Sequence, residues 1–147
     1  MGVAVRKLCR NVTASEYNDI VILLRQHYPD VAFVPPTTDD VNATIHEPNQ
    51  HQFVAKYEGV IIAIALLIVN RKYTRKVGHI EEDVVLDGSA KEFVRKIMME
   101  NVKKFAANGG IVVLDLETSD DRTIDIAAYE KLGFTKRDNM VVYRWRL

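Results

Sequence analysis

The sequence predicts a single mixed α/β domain over residues 1–147. Segments with helical periodicity alternate with short β-branched apolar segments, and glycine or proline signals separate them. No internal repeat and no linker divides the chain. With 147 residues, 48% of them apolar and 27% charged, the chain can bury one ordinary hydrophobic core.

The first predicted elements are a strand over residues 3–8 and a helix after it. Thr13 and Glu16 have the spacing of a capping box, in which each side chain bonds the backbone of the other residue. The helix is therefore expected to begin at Thr13 and to run to about His27. Four residues at helical spacing predict one buried stripe, formed by Tyr17, Ile20, Val21 and Leu24.

A short second helix is predicted after Pro35 and Pro36. These prolines interrupt the helical pattern, because proline cannot continue a helix and restricts the residue before it. Thr37 or Thr38 is expected to cap the helix, which then runs to Ile45. The sequence leaves open which of the two threonines is the cap.

Three strands are predicted next, over residues 52–57, 60–69 and 76–86. Glu58-Gly59 joins the first two strands as a tight hairpin. The run over 60–69 is the longest apolar segment, yet it has only about half of the ~20 residues that a membrane span needs. It predicts a central strand buried on both faces, and no membrane segment is expected.

The second half of the chain opens with a long predicted helix over residues 90–107, which ends at Gly109-Gly110. Its buried face is expected to comprise Val94, Ile97, Met98, Asn101, Val102 and Phe105. The remaining predicted elements are a strand over Ile111–Leu116, a helix over residues 121–132, and one or two strands within residues 135–147 with a turn near Asp138-Asn139.

Residues 129–134, with the sequence Tyr-Glu-Lys-Leu-Gly-Phe, close the last predicted helix. Gly133 is expected to end it, because glycine takes the left-handed conformation at little cost. An aromatic residue, Phe134, then enters the next segment. From these residues alone, Tyr129 is equally well a core aromatic beside an ordinary helix end.

A second motif, residues 78–87 with the sequence Gly-His-Ile-Glu-Glu-Asp-Val-Val-Leu-Asp, places three carboxylates inside a β-branched strand. Acidic residues are depleted from strands, and a buried carboxylate without a partner is costly. The residues alone permit a solvated edge or a bulge that exposes the charges. However, the apolar run after the carboxylates is typical of a buried strand. A carboxylate beside such a strand is a reasonable place for a base with a raised pKa.

In this order, the two motifs resemble the acidic strand and the closing helix of the GNAT superfamily of N-acetyltransferases. The predicted element order is similar to the topology of that family over essentially the whole chain. The resemblance implies an α/β fold with a mixed, mostly antiparallel sheet and helices on both faces. It also implies transfer of an acetyl group from acetyl-CoA, as co-substrate, to a primary amine by direct attack.

The resemblance further implies roles for single residues. Glu82 is the first choice for the base that takes the amine proton, directly or through a water. Glu81 and Asp83 stay open for this role, because the strand has one acidic residue more than the family pattern. Tyr129 is implied to protonate the departing thiolate. The strand residues implied to bind the pantetheine arm and to polarise the acetyl carbonyl are Val84, Val85 and Leu86.

The loop before the long helix departs from the family pattern. Family members have Arg/Gln-x-x-Gly-x-Gly/Ala there, and its amides and the helix start hold the pyrophosphate. Residues 87–93 read Asp-Gly-Ser-Ala-Lys-Glu-Phe, which is shorter and has one glycine. The coenzyme contacts implied by the resemblance are Gly88, Ser89, Ala90 and Lys91, with Arg122 as a further candidate. The negative charge of Glu92 would lie near the pyrophosphate and oppose its binding. An ordinary turn with a helix cap is the alternative interpretation of this loop.

The charge balance and the cysteine content restrict which kinds of partner and which compartment we expect. Twenty basic and twenty acidic residues give a net charge of zero, so no nucleic acid partner is expected. Residues 71–76 carry four basic residues around a tyrosine, which we interpret as a solvated hairpin; attraction of an anionic coenzyme or acceptor is the alternative. Cys9 is the only cysteine, which suits a reducing cytoplasm. The four histidines show no ligand pattern, so no metal site is predicted.

Two other functions stay open at this point. One is a catalytically silent GNAT-like binding module, which the altered loop favours, and the other is a small structural domain. The acceptor is predicted only as a small-molecule amine or a peptide amine. Residues 140–147 read as an uncovered strand rich in aromatics, and such edges pair with other chains. We therefore expect a homodimer that uses this edge.

Overall fold

The computed structural model describes residues 2–147. The chain forms two compact units, one that ends at Glu117 and one from Thr118 to Leu147. The first unit contains β1 (Val3–Lys7), α1 (Ala14–His27), α2 (Thr38–His46), β2 (Gln50–Tyr57), β3 (Val60–Arg71), β4 (Lys76–Val85), α3 (Lys91–Asn108) and β5 (Ile111–Leu116), and the second contains α4 (Thr123–Lys131). The nine elements predicted up to residue 132 are thus confirmed. The single-domain organisation stays a prediction.

The five strands form one sheet in the order β1-β2-β3-β4-β5. The first three pairs are antiparallel, and β4 and β5 are parallel. Helices α1 and α2 pack against β2, β3 and β4, while the ring of Phe105 in α3 lies edge-on to Phe53 of β2 at 5.5 Å. This arrangement confirms a mixed, mostly antiparallel sheet flanked by helices. No helix in the part of the chain that the structure describes is both long and apolar enough to cross a membrane.

Helix α1 buries a stripe that differs from the predicted one. Ile20 and Leu24 are buried as expected, but Leu23 replaces Tyr17 and Val21, which are only half-buried. The buried face of the helix is displaced toward Glu16, which is buried as well. Thr13 and Glu16 form the predicted capping box. The other buried members of this core are Leu8, Val41, Ile45, Val54, Ile61, Ile64 and Val84.

Glu16 can be buried because two cations hold its carboxylate. Its Oε1 lies 2.8 Å from Arg10 Nη1, and its Oε2 lies 2.8 Å from Lys56 Nζ. The hydrogen bond from Arg10 is the largest of the effects that keep the pKa of Glu16 well below its usual range. The glutamate of the capping box therefore also links α1 to β2, through Lys56.

Helix α3 also turns a different face to the sheet. Asn101, predicted as buried, is exposed and donates a hydrogen bond to the carbonyl of Ile97 in the preceding turn. Arg95, Met99 and Ala106 are buried instead, together with the predicted Val94, Met98 and Val102. The burial of Arg95 escaped prediction because a buried arginine needs a carboxylate partner, and that partner lies on another element.

Two predicted turns are confirmed. Glu58 and Gly59 join β2 to β3 with φ values of 49° and 81°, the left-handed pair that matches the twist of a two-residue hairpin. Gly133 has φ of 98° and ends α4, so that the amide of Phe134 donates to the carbonyl of Tyr129 at 3.1 Å. Thr37, rather than Thr38, caps α2.

The prediction of strands within residues 135–147 is wrong. The turn at Asp138-Asn139 is present, but no strand forms after it among the described residues. A strand requires a neighbouring strand to bond its backbone, and no strand is formed by the described residues of this segment. Its large apolar side chains are exposed, namely Met140, Val141, Val142, Tyr143, Trp145 and Leu147.

Candidate active site

Strand β4 contains a β-bulge at the acidic motif. Leu66 pairs with Glu81 and Ile64 pairs with Val84, so that Glu82 and Asp83 together oppose one residue of β3. Glu82 takes a left-handed conformation with φ of 52°, which is uncommon for a residue with a side chain. Two of the three adjacent acidic residues, Glu82 and Asp83, therefore form the bulge.

The bulge sends the three carboxylates of the motif into three environments. Glu81 is exposed to solvent. Glu82 is half-buried and contacts Tyr28, just after α1. Asp83 is buried, 7% exposed, and pairs with Arg95 of α3. A bulge that exposes all three charges is thus excluded.

Glu82 has the surroundings of a base. The hydroxyl of Tyr28 donates to its Oε1 at 2.9 Å, while its Oε2 is buried and accepts no hydrogen bond from the described residues. Burial raises the pKa of Glu82, the hydrogen bond from Tyr28 partly opposes this, and the nearby charge of Glu81 adds to the rise. A carboxylate with a raised pKa is a stronger proton acceptor than an ordinary surface glutamate.

Asp83 is held in an ion pair that connects the bulge to α3. Its Oδ2 lies 3.2 Å from Arg95 Nε, and the side chains are only 4% and 6% exposed. Removing either partner of such a buried pair is costly, and the paired carboxylate is poorly placed to take a proton from a ligand. The contact fixes the bulge relative to the first turns of α3.

The second half of β4 lacks a β5 partner on one side, and we call this side its open edge. Its parallel pairing with β5 extends from Lys76 to Ile80, and no β5 residue pairs with the bulge or with the β4 residues after it. The amide of Leu86 donates to Ile62 in β3 at 2.8 Å, so Val84 and Leu86 direct their backbone groups toward β3. Val85, the residue between them, directs its N–H and C=O toward the open edge.

A glutamine from α1 occupies part of this open edge. Gln26 Nε2 donates to the carbonyl of Val85 at 2.8 Å, and its Oε1 accepts from the amide of Asp87 at 2.8 Å. No local sequence pattern marks the contacts of Gln26, Tyr28 and Arg95, because their side chains act across elements that are far apart in the chain.

The loop before α3 forms a turn, with Gly88 at φ of 84° and a hydrogen bond from the amide of Ser89 to Leu86. Helix α3 begins after Ala90, and no side chain caps it. Its first amides are therefore open to an anion rather than satisfied by a cap. A shallow depression of about 430 Å³ lies here, lined by Ala90, Lys91, Glu92, Phe93 and Lys96.

Lys91 is not free at this helix start, because its ammonium forms an ion pair with Asp87 one turn earlier. Both side chains are well exposed, so the pair is held weakly and an anionic ligand can compete for the lysine. The lysine that was predicted to contact phosphate thus lies at the depression.

The second unit contains the other two predicted site residues. Tyr129 lies in α4, is 8% exposed, and has its ring edge-on to Phe134 at 5.9 Å. Arg122 precedes α4, and its Nη1 lies 3.8 Å from Asp125 Oδ2.

Two other groups considered in the sequence lie elsewhere. The basic hairpin, residues 71–76, is at the start of the ten-residue β4, while Val85 is at its end. At about 3.3 Å per residue the two ends are roughly 30 Å apart, so the hairpin is remote from the loop before α3. Among residues 2–147, no three His, Cys, Asp or Glu side chains form a group that could hold a metal ion.

Comparison with known proteins identifies the family and similar folds. Residues 17–134 match the acetyltransferase (GNAT) family. No curated protein sequence matches the chain. One similar structure is the aminoglycoside acetyltransferase meta-AAC0020 from an uncultured soil metagenomic sample, in complex with trehalose. Its TM-score is 0.86 at 14% identity, over 99% of this chain and 96% of that one.

Two further structures are similar along nearly their whole length. AAC(6')-Iy in complex with a bisubstrate analogue, CoA-S-monomethyl-acetylneamine, has a TM-score of 0.79 at 20% identity, with both chains covered completely. AAC(6')-Ih from Acinetobacter baumannii has a TM-score of 0.79 at 17% identity, over 99% of each chain. The family match covers most of the sequence, and the mixed five-stranded sheet with flanking helices agrees with it. The chain therefore belongs to the GNAT family of acetyltransferases.

Proposed function

We propose that this protein is an N-acetyltransferase that moves an acetyl group from acetyl-CoA to a primary amine by direct attack. The observation that carries the proposal is the environment of Glu82. One carboxylate oxygen is held by Tyr28, the other accepts no hydrogen bond from the described residues, and burial raises the pKa of the group. An amine N–H, or a water between amine and carboxylate, would satisfy the second oxygen.

The proposed reaction moves the acetyl group directly from the coenzyme to the amine, and each proton has a stated donor and acceptor. An alkylammonium has a pKa near 10 and is mostly charged at neutral pH, so it must lose a proton before its nitrogen can attack. Glu82 takes one proton from the ammonium, the C–N bond forms and the C–S bond to the coenzyme breaks, and the second proton leaves the nitrogen to solvent as the amide forms. Tyr129 gives its hydroxyl proton to the departing thiolate, and solvent restores both side chains. Glu81 and Asp83 become poor alternatives, since one is exposed and the other is ion-paired.

The strand edge supplies the electrostatic part of the proposal. Val85 directs its amide toward the open side of β4, where it can donate to the acetyl carbonyl or to the coenzyme arm. An amide aimed at a developing oxyanion stabilises the transition state by a few kcal/mol. Val84 and Leu86 direct their backbone groups to β3, so their contribution is restricted to side-chain contacts.

The coenzyme pyrophosphate is proposed to bind at the start of α3. The uncapped first turn and the depression beside it fit an anion, and Gly88 leaves open space where another residue would have a Cβ atom. Gly88, Ser89 and Ala90 would offer backbone groups and Lys91 a charge. Arg122 is kept as a further candidate contact from the second unit. The proposed acceptor is a small-molecule amine or a peptide amine.

A catalytically silent binding module is the second candidate function. The specific observation in its favour is that Asp87 already neutralises Lys91 in a loop with a single glycine. Such a module would keep the fold and bind a ligand without transferring an acetyl group. A cytoplasmic location and a homodimer remain part of the main proposal.

The deciding experiment combines binding with turnover. Calorimetry with acetyl-CoA tests for coenzyme binding, and a thiol-release assay with a library of primary amines tests for transfer. Glu82→Gln serves as the matched control, since it keeps the shape of the side chain and removes the base. Amine-dependent thiol release that the control lacks would support the enzyme. Binding without release on any amine would favour the silent module, and no binding would contradict the enzyme.

A further inference from the structure

The side chain of Gln26 bonds two backbone groups of the β4 edge at once. It donates to the carbonyl of Val85 and accepts from the amide of Asp87, both at 2.8 Å. Gln26 lies in the last turn of α1, two residues before Tyr28, and is half-buried. The two hydrogen bonds therefore connect this helix to the end of β4 and to the loop before α3.

The two bonded groups lie on the side of β4 that has no β5 partner. Pairing with β5 ends at Ile80, and the backbone groups beyond the bulge alternate between β3 and the open side. Unpaired backbone groups at a strand edge are a template for any extended ligand that carries amides. Gln26 supplies one N–H and one C=O, which is the pattern that a single amide of such a ligand would supply.

We infer that Gln26 closes the coenzyme-binding edge of β4 in the free protein and sets coenzyme affinity by competing with the amides of the pantetheine arm. This inference rests on the proposed function, because it takes the open edge as the place where that arm binds. On binding, the Gln26 carboxamide must leave Val85 and Asp87, and a ligand amide takes over the same carbonyl and N–H.

The size of the effect can be derived from hydrogen-bond energetics. Each intramolecular hydrogen bond contributes a modest net stabilisation, because water replaces it when it breaks. The parent must break two such bonds before the ligand can pair, whereas a variant without the carboxamide has only water to displace. Removing the side chain is therefore expected to tighten binding of pantetheine-bearing ligands by about tenfold.

The first test is calorimetry of the parent and Gln26→Ala with three probes. Coenzyme A and phosphopantetheine carry the amide arm, and adenosine 3′,5′-bisphosphate lacks it. We expect tighter binding of the first two probes to the variant and equal binding of the third. Unchanged or weaker binding of coenzyme A to a folded variant would overturn the inference, and would show that Gln26 supports the edge rather than blocks it.

Gln52→Ala is the matched control. Gln52 is also half-buried, and its Nε2 donates to the backbone carbonyls of Phe53 and Ala65 at 3.1 and 3.2 Å. These two hydrogen bonds join the side chain to β2 and β3. Equal tightening in this control would mean that general loosening of the sheet, and not release of the edge, raises affinity, which also contradicts the inference.

A second test needs no variant. In the parent, the amide hydrogen of Asp87 should exchange slowly, and the side-chain amide resonances of Gln26 should shift when coenzyme A is added. Rapid exchange at Asp87 in the free protein, or no change at Gln26 on saturation, would refute the inference while coenzyme binding itself stands. Absence of binding in both the parent and Gln26→Ala would refute the proposed function and this inference with it.

Discussion

Tyr28 donates a hydrogen bond of 2.9 Å to Glu82, although the two residues are 54 positions apart in the chain. The bond exists because the bulge in β4 turns Glu82 toward the end of α1. The ring of Tyr28 stacks on Phe33 at 5.4 Å, which holds the hydroxyl in place. This contact tunes the group that we propose as the base, since it lowers a pKa that burial raises.

Tyr28→Phe should shift the acidic limb of the pH profile of kcat/KM to higher pH. The bond from the hydroxyl favours the charged carboxylate, so its loss raises the pKa of Glu82 further. Because the base works only when deprotonated, higher pH is then needed for the same rate. Tyr17→Phe is the control, because Tyr17 lies in α1 and its hydroxyl donates to the carbonyl of Pro36 at 2.7 Å, away from Glu82. An unshifted limb in Tyr28→Phe would contradict the role of Glu82 or of the bond.

Glu82→Gln should lower turnover by roughly 10²–10⁴, as loss of a general base does. Raising the pH should partly restore the rate, since the amine then deprotonates in solution. Glu81→Gln and Asp83→Asn are the comparison variants. A larger loss of turnover in folded Glu81→Gln would move the role of base to that residue.

The same variant should not lose stability at neutral pH. A carboxyl whose folded pKa is raised favours folding below its unfolded pKa, and this contribution is lost as the pH rises through the folded pKa. Glu82→Gln removes the buried charge, so its Tm at neutral pH should equal or exceed that of the parent. The difference should shrink below the unfolded value of about 4.3. A clearly lower Tm at neutral pH would indicate a structural role for Glu82.

Tyr129→Phe should keep coenzyme affinity and the fold but lower turnover by roughly 10²–10⁴. The phenylalanine ring can keep the edge contact with Phe134, while the proton for the thiolate is lost. The measurement is steady-state turnover on the true acceptor, with calorimetry and Tm as checks on binding and folding. Turnover within about twofold of the parent would remove Tyr129 as the acid, because that lies far below the usual range.

The sequence predicted the elements well where local signals are strong. The capping box at Thr13 and Glu16, the Glu58-Gly59 hairpin and the helix end at Gly133 depend on neighbouring residues only, and all three are confirmed. The predicted buried faces of α1 and α3 were partly wrong, because ion pairs with distant residues allowed Glu16 and Arg95 to be buried. A pattern of apolar residues carries no information on such pairs.

The candidate site was likewise only partly predictable from the sequence. Its acidic strand was visible in the sequence, and so was the unusual third carboxylate. Which carboxylate faces which side depends on the bulge, and the bulge depends on the pairing register of β3 with β4. The contacts of Tyr28 and Gln26 with β4 come from tertiary packing, so they appear only once α1 is placed against the sheet.

We expect a homodimer that buries the C-terminal segment. Tyr143 and Trp145 are 91% and 90% exposed, and residues 140–147 form no strand among the described residues. Large exposed apolar side chains on a single segment favour association with another chain. Light scattering at micromolar concentration should give twice the chain mass, and Trp145→Glu should lower it. A monomeric mass for the parent would end this expectation.

Lys91 should matter for coenzyme affinity, and mostly at low salt. Its ammonium is exposed and paired with Asp87, so a pyrophosphate at the start of α3 would have to draw it away. Lys91→Ala is expected to weaken acetyl-CoA binding by about threefold to fivefold in calorimetry, as for an exposed ion pair, and less at high salt. Glu92→Ala, which removes a negative charge from the same depression, should strengthen binding.

Lys103→Ala is the control for this pair of variants, because Lys103 is exposed on the same helix but lies near its far end. Its removal changes the net charge equally and should leave affinity almost unchanged. Unchanged affinity in Lys91→Ala together with no gain in Glu92→Ala would place the phosphates elsewhere. Equal losses in Lys91→Ala and Lys103→Ala would indicate a general effect of net charge, because a direct contact with the phosphates would make the loss at Lys91 the larger one.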